Sequence, residues 1–229
     1  KTEILSFEEI IRLTKILALL GVKKVRLTGG EPLLRKNIHL LISHLKEIQG
    51  ITDISMTTNG VLLTEKKAKL LRESGLNRLT VSLDSLNPEK FHKISGSKYL
   101  PSDVLSGIDN AKNAGFQNIK VNMVVKKNVN HEDIIPMLDN FKNTGCIVRF
   151  IEFMDVGNVN FWNKDDVTSL EDILNIISEK YHIKPLEKNY NSEVAKRWSY
   201  QGGEFGVISS ISNPFCGDCS RIRLTAEGK

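Results

Sequence analysis

Long apolar runs are missing from this sequence. None approaches the roughly 20 residues that a membrane-spanning helix requires. The opening KTEILSFEEI also lacks the charged-then-apolar order of a secretory leader. Neither a membrane nor export is therefore expected. Cysteine is scarce as well: Cys146, Cys216 and Cys219 are too few for a disulfide framework. The last two form a CxxC, which in a reducing compartment holds a metal or does redox chemistry more often than it bridges. A cytoplasmic setting follows as the expectation. The five histidines are scattered without ligand spacing, and repeats and low-complexity segments are lacking. What remains is ordinary for a globular protein, with 40% apolar and 26% charged residues. Its length of 229 residues suits one domain, or one domain with an annex. A net charge of +5 leans mildly toward anionic ligands or reflects a background of surface lysines, and no nucleic-acid partner is expected.

Helical and strand patterns alternate through the first two-thirds of the chain. Ser6 with Glu9 forms a capping box that opens an amphipathic stretch, Phe7 to Leu20, ending at Gly21. VKKVRLTGG, DISMTTNG, RLTVSLD, NIKVNMVV and CIVRFIEFMD read as strands, with helices between them over 37–48, 64–73, 102–114 and 131–142. Strands separated by helices of this length predict a parallel sheet with right-handed crossovers. The chain opens on a helix where such a repeat calls for a strand, and AEGK stops in a turn. It therefore reads as part of a longer protein. Near residue 155 the character changes. A loop, a helix capped by Ser169 and Asp172, a hairpin around Gly202-Gly203 and a Gly/Pro/Asn-rich loop holding Cys216 make up an annex over 156–229.

Three strands end in polar groups followed by a turn: Arg26, Thr28, Gly29 and Gly30; Thr57, Thr58 and Asn59; Ser82 and Asp84. In parallel α/β folds ligands gather at that edge, although Thr, Asn and Asp there also cap the next helix. Gly29-Gly30-Glu31-Pro32 lets backbone approach a ligand without side chains in the way, and it equally suits a plain strand-to-helix turn. CGDC supplies two of the three or four ligands that a metal or cluster needs. A zinc knuckle or a metal-free dithiol are the other readings. Arg221 and Arg223 alternate on what reads as a strand, so two guanidiniums share a face, suited to a polyphosphate or simply to water. Cys146 and Met154, in apolar strands, read by default as packing residues. Lys120 is unusual inside a strand and points either into the site or to solvent.

Taken in order, RLTGGEPLLR, TTNG, VSLD, KVN, RFIEFMD and FCGDCSRIRL resemble the GTP 3′,8-cyclase family of radical S-adenosylmethionine enzymes along the whole chain. GGEP points only to the superfamily, whereas RFIEFMD with FCxxCxRxRL is far more specific. The resemblance implies an incomplete (βα)₆ TIM-like barrel over 1–155, lacking its first strand, and a C-terminal α+β annex over 156–229. It implies S-adenosylmethionine contacts at Gly30, Ser82 and Met154. GTP contacts are implied at Arg26, Thr57, Lys120, Arg221 and Arg223. Two 4Fe–4S clusters are implied, with Cys216 and Cys219 as two of three ligands to the second. The family's chemistry starts with a 5′-deoxyadenosyl radical that takes the 3′ hydrogen of the GTP ribose, after which that carbon attacks C8 of guanine. This is a lyase reaction and the first step of molybdenum cofactor biosynthesis. The product would pass to a cyclic pyranopterin monophosphate synthase, and a homodimer is compatible with the family. No residue is singled out as catalytic. The family's CxxxCxxC loop, an N-terminal GTP-binding arginine, a third annex cysteine and a double-glycine tail lie outside this sequence. The chain as written is thus expected to be inactive. Two alternatives stand beside this reading: another radical S-adenosylmethionine enzyme with an auxiliary cluster, and a non-catalytic nucleotide- or zinc-binding scaffold.

Overall fold

A computed structural model describes residues 4–157, 162–190, 193–214, 217 and 220–229. In chain order the first elements are α1 (Phe7–Leu19), β1 (Lys24–Leu27), α2 (Ile38–Lys46), β2 (Asp53–Thr58), α3 (Glu65–Glu73) and β3 (Arg78–Ser82). Then come α4 (Pro88–Ser95), α5 (Pro101–Asn113), β4 (Lys120–Val125), α6 (Ile134–Phe141) and β5 (Ile147–Glu152). The last are α7 (Leu170–Ser178), β6 (Lys184–Leu186), β7 (Lys196–Tyr200) and β8 (Gly203–Ile208). They fold into two compact units: Lys1–Val81 with Asp103–Ile119 and Arg221–Lys229, and Ser82–Ser102 with Lys120–Ser220.

In the first unit β1, β2 and β3 pair in parallel. The expected capping box is present: Ser6 Oγ accepts from the Glu9 amide and the Glu9 carboxylate accepts from the Ser6 amide, satisfying two of the orphan donors that open α1. Leu41, Ile42 and Leu45 of α2 recur at helical spacing and are fully buried, as are Ala68 and Leu71 of α3. Ile54, Met56 and Leu79, which share one face of the sheet, are buried as well.

In the second unit β4 and β5 pair in parallel, β8 joins β5 in parallel, and β7 and β6 follow antiparallel. The expected hairpin is therefore present, and its second strand extends the parallel sheet. Its core includes an aromatic cluster. Phe205 packs against Phe150 and Tyr200 edge-on and stacks on Trp198, geometries that suit the ring quadrupoles.

Two local expectations change. Asn87-Pro88 opens a helix where the sequence suggested only a loop. The Asn87 side chain accepts from the Glu89 and Lys90 amides, and Pro88 occupies the first helical position, where its missing N–H costs nothing. Residues 221–224, read as a strand, are not one. The backbone there has no regular secondary structure, and Ile222 and Leu224, a like-facing pair in a strand, are both exposed. The neighbouring turn is held instead by the Leu5 amide, which donates to the Ala226 carbonyl at 2.8 Å. The alternation argument for Arg221 and Arg223 therefore falls, and their charges remain.

Candidate functional site

Strand pairing sorts the polar residues of the first unit. Arg26 is level with Ser55, and Thr57 with Thr80. Level residues on parallel strands share a face, and side chains alternate along each strand. Arg26, Ser55, Thr57 and Thr80 thus form one polar face, continued by Ser82 at the end of β3. The opposite face carries Val25, Leu27, Ile54, Met56, Leu79 and Val81, with Thr58 beside Val81 at its end. A sheet covered on both faces normally reads as apolar throughout. Polar strand ends of this kind stand where ligands gather in parallel α/β folds.

Gly29 and Gly30 follow β1 directly and are exposed, and a Cβ on either would meet nothing within 4 Å. Gly29 has φ +136°, a conformation open to glycine and rare in other residues. This is a cradle of bare backbone with room in front of it, which suits the amino-acid portion of S-adenosylmethionine. Behind it stands Glu31. One carboxylate oxygen accepts from the Leu33 amide at 3.0 Å and from Thr58 Oγ1 at 2.7 Å, and the other accepts from the Asn59 amide at 2.7 Å.

The second unit holds Ser82, Lys120 and Met154. Beyond Ser82 the chain is pinned: the Leu83 amide donates to the Asn122 carbonyl, and the Val124 amide donates to the Asp84 carboxylate at 2.8 Å. The buried Asn130 amide bridges the carbonyls of Asp84 and Val124. Burial pushes the Asp84 carboxyl up to about 6, against the opposing pull of the Val124 N–H. Met154 is 41% exposed, so it is not the core residue its apolar setting suggested. Lys120 opens β4 rather than closing it. It shares a face with Asn122 and, through the pairing of Asn122 with Arg149, with that arginine.

Arg149 and Glu152 lie in the RFIEFMD motif, but the sequence assigns neither a role. Arg149 is 8% exposed and donates from Nε to Asn122 Oδ1 at 2.9 Å. Glu152 is fully buried and accepts from the amides of Leu170, Ile211 and Ser212 and from the Ser212 hydroxyl. It thereby ties the end of β5 to the start of α7 and to the turn ahead of the annex cysteines. A charge set among apolar residues, within β5 for Arg149 and at its end for Glu152, was the available signal. Cys146 is buried, as a packing residue should be. Cys216 and Cys219 lie outside the described residues, and among those described no group of three or more His, Cys, Asp or Glu could hold a metal ion.

Comparison with known proteins bears on this arrangement. Residues 1–141 match the radical SAM superfamily and residues 146–229 match Molybdenum Cofactor Synthesis C. Over 231 residues the chain is 48% identical to a GTP 3′,8-cyclase of Staphylococcus epidermidis, spanning all of this chain and 67% of that protein. It is 45% identical over 226 residues to a GTP 3′,8-cyclase of Xanthomonas campestris pv. campestris, 98% of this chain and 66% of that one. Among solved structures, Streptococcus suis SuiB bound to S-adenosylmethionine aligns with a TM-score of 0.64 at 18% identity, over 76% of this chain and 40% of that one. Methylornithine synthase (PylB) aligns at 0.58 with 20% identity, over 76% and 52%. Those two likenesses bear on fold alone and agree with the parallel strands described above. The identity along the whole chain goes further: this chain belongs to the radical SAM superfamily and, within it, to the GTP 3′,8-cyclases.

Proposed function

We propose that the protein carrying this chain converts GTP to (8S)-3′,8-cyclo-7,8-dihydroguanosine 5′-triphosphate, the first step of molybdenum cofactor biosynthesis. The observation that carries this reading is identity of 48% across the entire chain. Residues 1–155 form the partial barrel and 156–229 the annex, and the setting is cytoplasmic. When bound, S-adenosylmethionine and an iron–sulfur cluster supply the radical that removes the 3′ hydrogen of the ribose. The residues here bind and orient. Backbone at Gly30, with Ser82 and Met154, holds S-adenosylmethionine. Arg26, Thr57, Lys120, Arg221 and Arg223 hold GTP, the last two through charge-assisted bonds to its phosphates. Cys216 and Cys219 would hold a second 4Fe–4S cluster together with a third ligand. Holding two reactants in near-attack geometry supplies a large part of the rate.

The test uses the full-length protein, purified anaerobically and incubated with S-adenosylmethionine, a reductant and GTP deuterated at the 3′ position. The expected result is an isomer of GTP together with 5′-deoxyadenosine that carries the deuterium. Conversion without deuterium in the deoxyadenosine, or no conversion of GTP, overturns the reading.

A further inference from the structure

We propose that Glu31 is a positioning residue that locks the S-adenosylmethionine cradle to the strand end presenting Thr57. This rests on the ligand assignments of Gly30 and Thr57 proposed above. The cradle needs such a device. Gly29 and Gly30 are exposed and have open space where side chains would stand, so they have no side-chain packing of their own to hold them in place. Glu31 is the next residue, and its carboxylate turns back into the protein. Both its oxygens are committed to three donors, two of them on the segment immediately after Thr57.

That segment is itself hydrogen-bonded and, at Thr58, buried. Thr58 is 2% exposed, and its hydroxyl both donates to Glu31 and accepts from the Gly60 amide at 3.1 Å. Gly107 of α5 lies so close to the Gly60 carbonyl that a Cβ there would stand 2.2 Å from its oxygen. An unbroken run of contacts therefore leads from α5 through Gly60, Thr58 and Glu31 to Gly30. Through that run, the loop that binds one reactant is set by the strand end that binds the other. Only a carboxylate fits. A glutamine must aim its amide nitrogen either at the Asn59 N–H or at the Leu33 N–H and Thr58 hydroxyl, so a donor faces a donor.

Equilibrium binding of S-adenosylmethionine and of GTP, each measured separately on folded full-length protein, tests this. Glu31→Gln and Thr58→Val should each weaken both ligands, Glu31→Gln by about tenfold or more. Thr58→Ser, which restores the hydroxyl, should return both affinities to the parent's. If Glu31 is only fold glue, melting temperature will fall while both affinities of the folded variants stay within about twofold, and that result overturns the proposal. Should Glu31→Gln fail to fold, the contrast between Thr58→Val and Thr58→Ser decides alone. The parent protein separates this inference from the functional reading. A parent that binds neither ligand defeats both, whereas a parent that binds both and variants that match it defeat only the role of Glu31.

Discussion

Asp84 shows how a single residue near the proposed ligand edge couples to stability. Its carboxyl is enclosed at the end of β3, with the Val124 N–H as its hydrogen-bond donor and a pKa raised from 3.8 to about 6. The folded state thus binds a proton that the unfolded chain has released across that window. The stabilisation is fully present below 3.8 and is lost as pH rises through about 6, amounting to about 3 kcal/mol. Asp84→Asn keeps the acceptor for Val124 and removes the titration. Denaturant unfolding at the two ends of the window should show the variant gaining about that amount on its parent as pH rises. A constant difference between the two would mean that Asp84 is charged and solvated in the fold.

At the scale of elements, α5 illustrates a local preference overridden by packing. Gly107 sits inside a helix, where alanine ordinarily gains about 0.8–1.0 kcal/mol. Here the added Cβ would meet the Gly60 carbonyl oxygen at 2.2 Å and Leu63 at 3.3 Å. Backbone cannot yield as a flexible side chain can, and overpacking of this kind costs about 1–3 kcal/mol. Gly107→Ala should therefore lower stability by about 1 kcal/mol or more in thermal or denaturant melts, against the helix-propensity trend. A stabilised variant would show that α5 can slide away from the β2–α3 loop. The missed helix α4 makes a related point. Asn-Pro is turn chemistry and also helix-start chemistry, and only the residues that follow it in space decide between them.

Across the whole molecule, the functional reading rests on identity along the entire chain, and the proposed ligand contacts fall on distant stretches of sequence, the glycine cradle and the arginines after the annex cysteines. Arg221 and Arg223 are not on a strand, so their case now rests on charge and on membership of the family. Truncating either to alanine in the full-length protein should weaken GTP binding by about 1.5–3 kcal/mol, the usual worth of hydrogen bonds to charged groups. S-adenosylmethionine binding should hardly change, since Gly30, Ser82 and Met154 are untouched. Calorimetry at fixed salt measures both. A loss of GTP affinity below about 0.5 kcal/mol, typical of ordinary surface substitutions, would remove the phosphate assignment.

Sequence alone determined the βα order, the capping boxes at Ser6 and Ser169, the hairpin at Gly202-Gly203 and the family, because these follow from local spacing and from motifs in order. Tertiary structure decided what Glu31, Arg149 and Glu152 do. Each is a charge whose meaning depends on donors and acceptors contributed by other segments: Thr58 and Asn59 for the first, Asn122 for the second, and Leu170, Ile211 and Ser212 for the third. It also decided that Met154 is exposed rather than core and that 221–224 forms no strand, since burial and strand pairing are properties of neighbours that chain-local patterns do not contain.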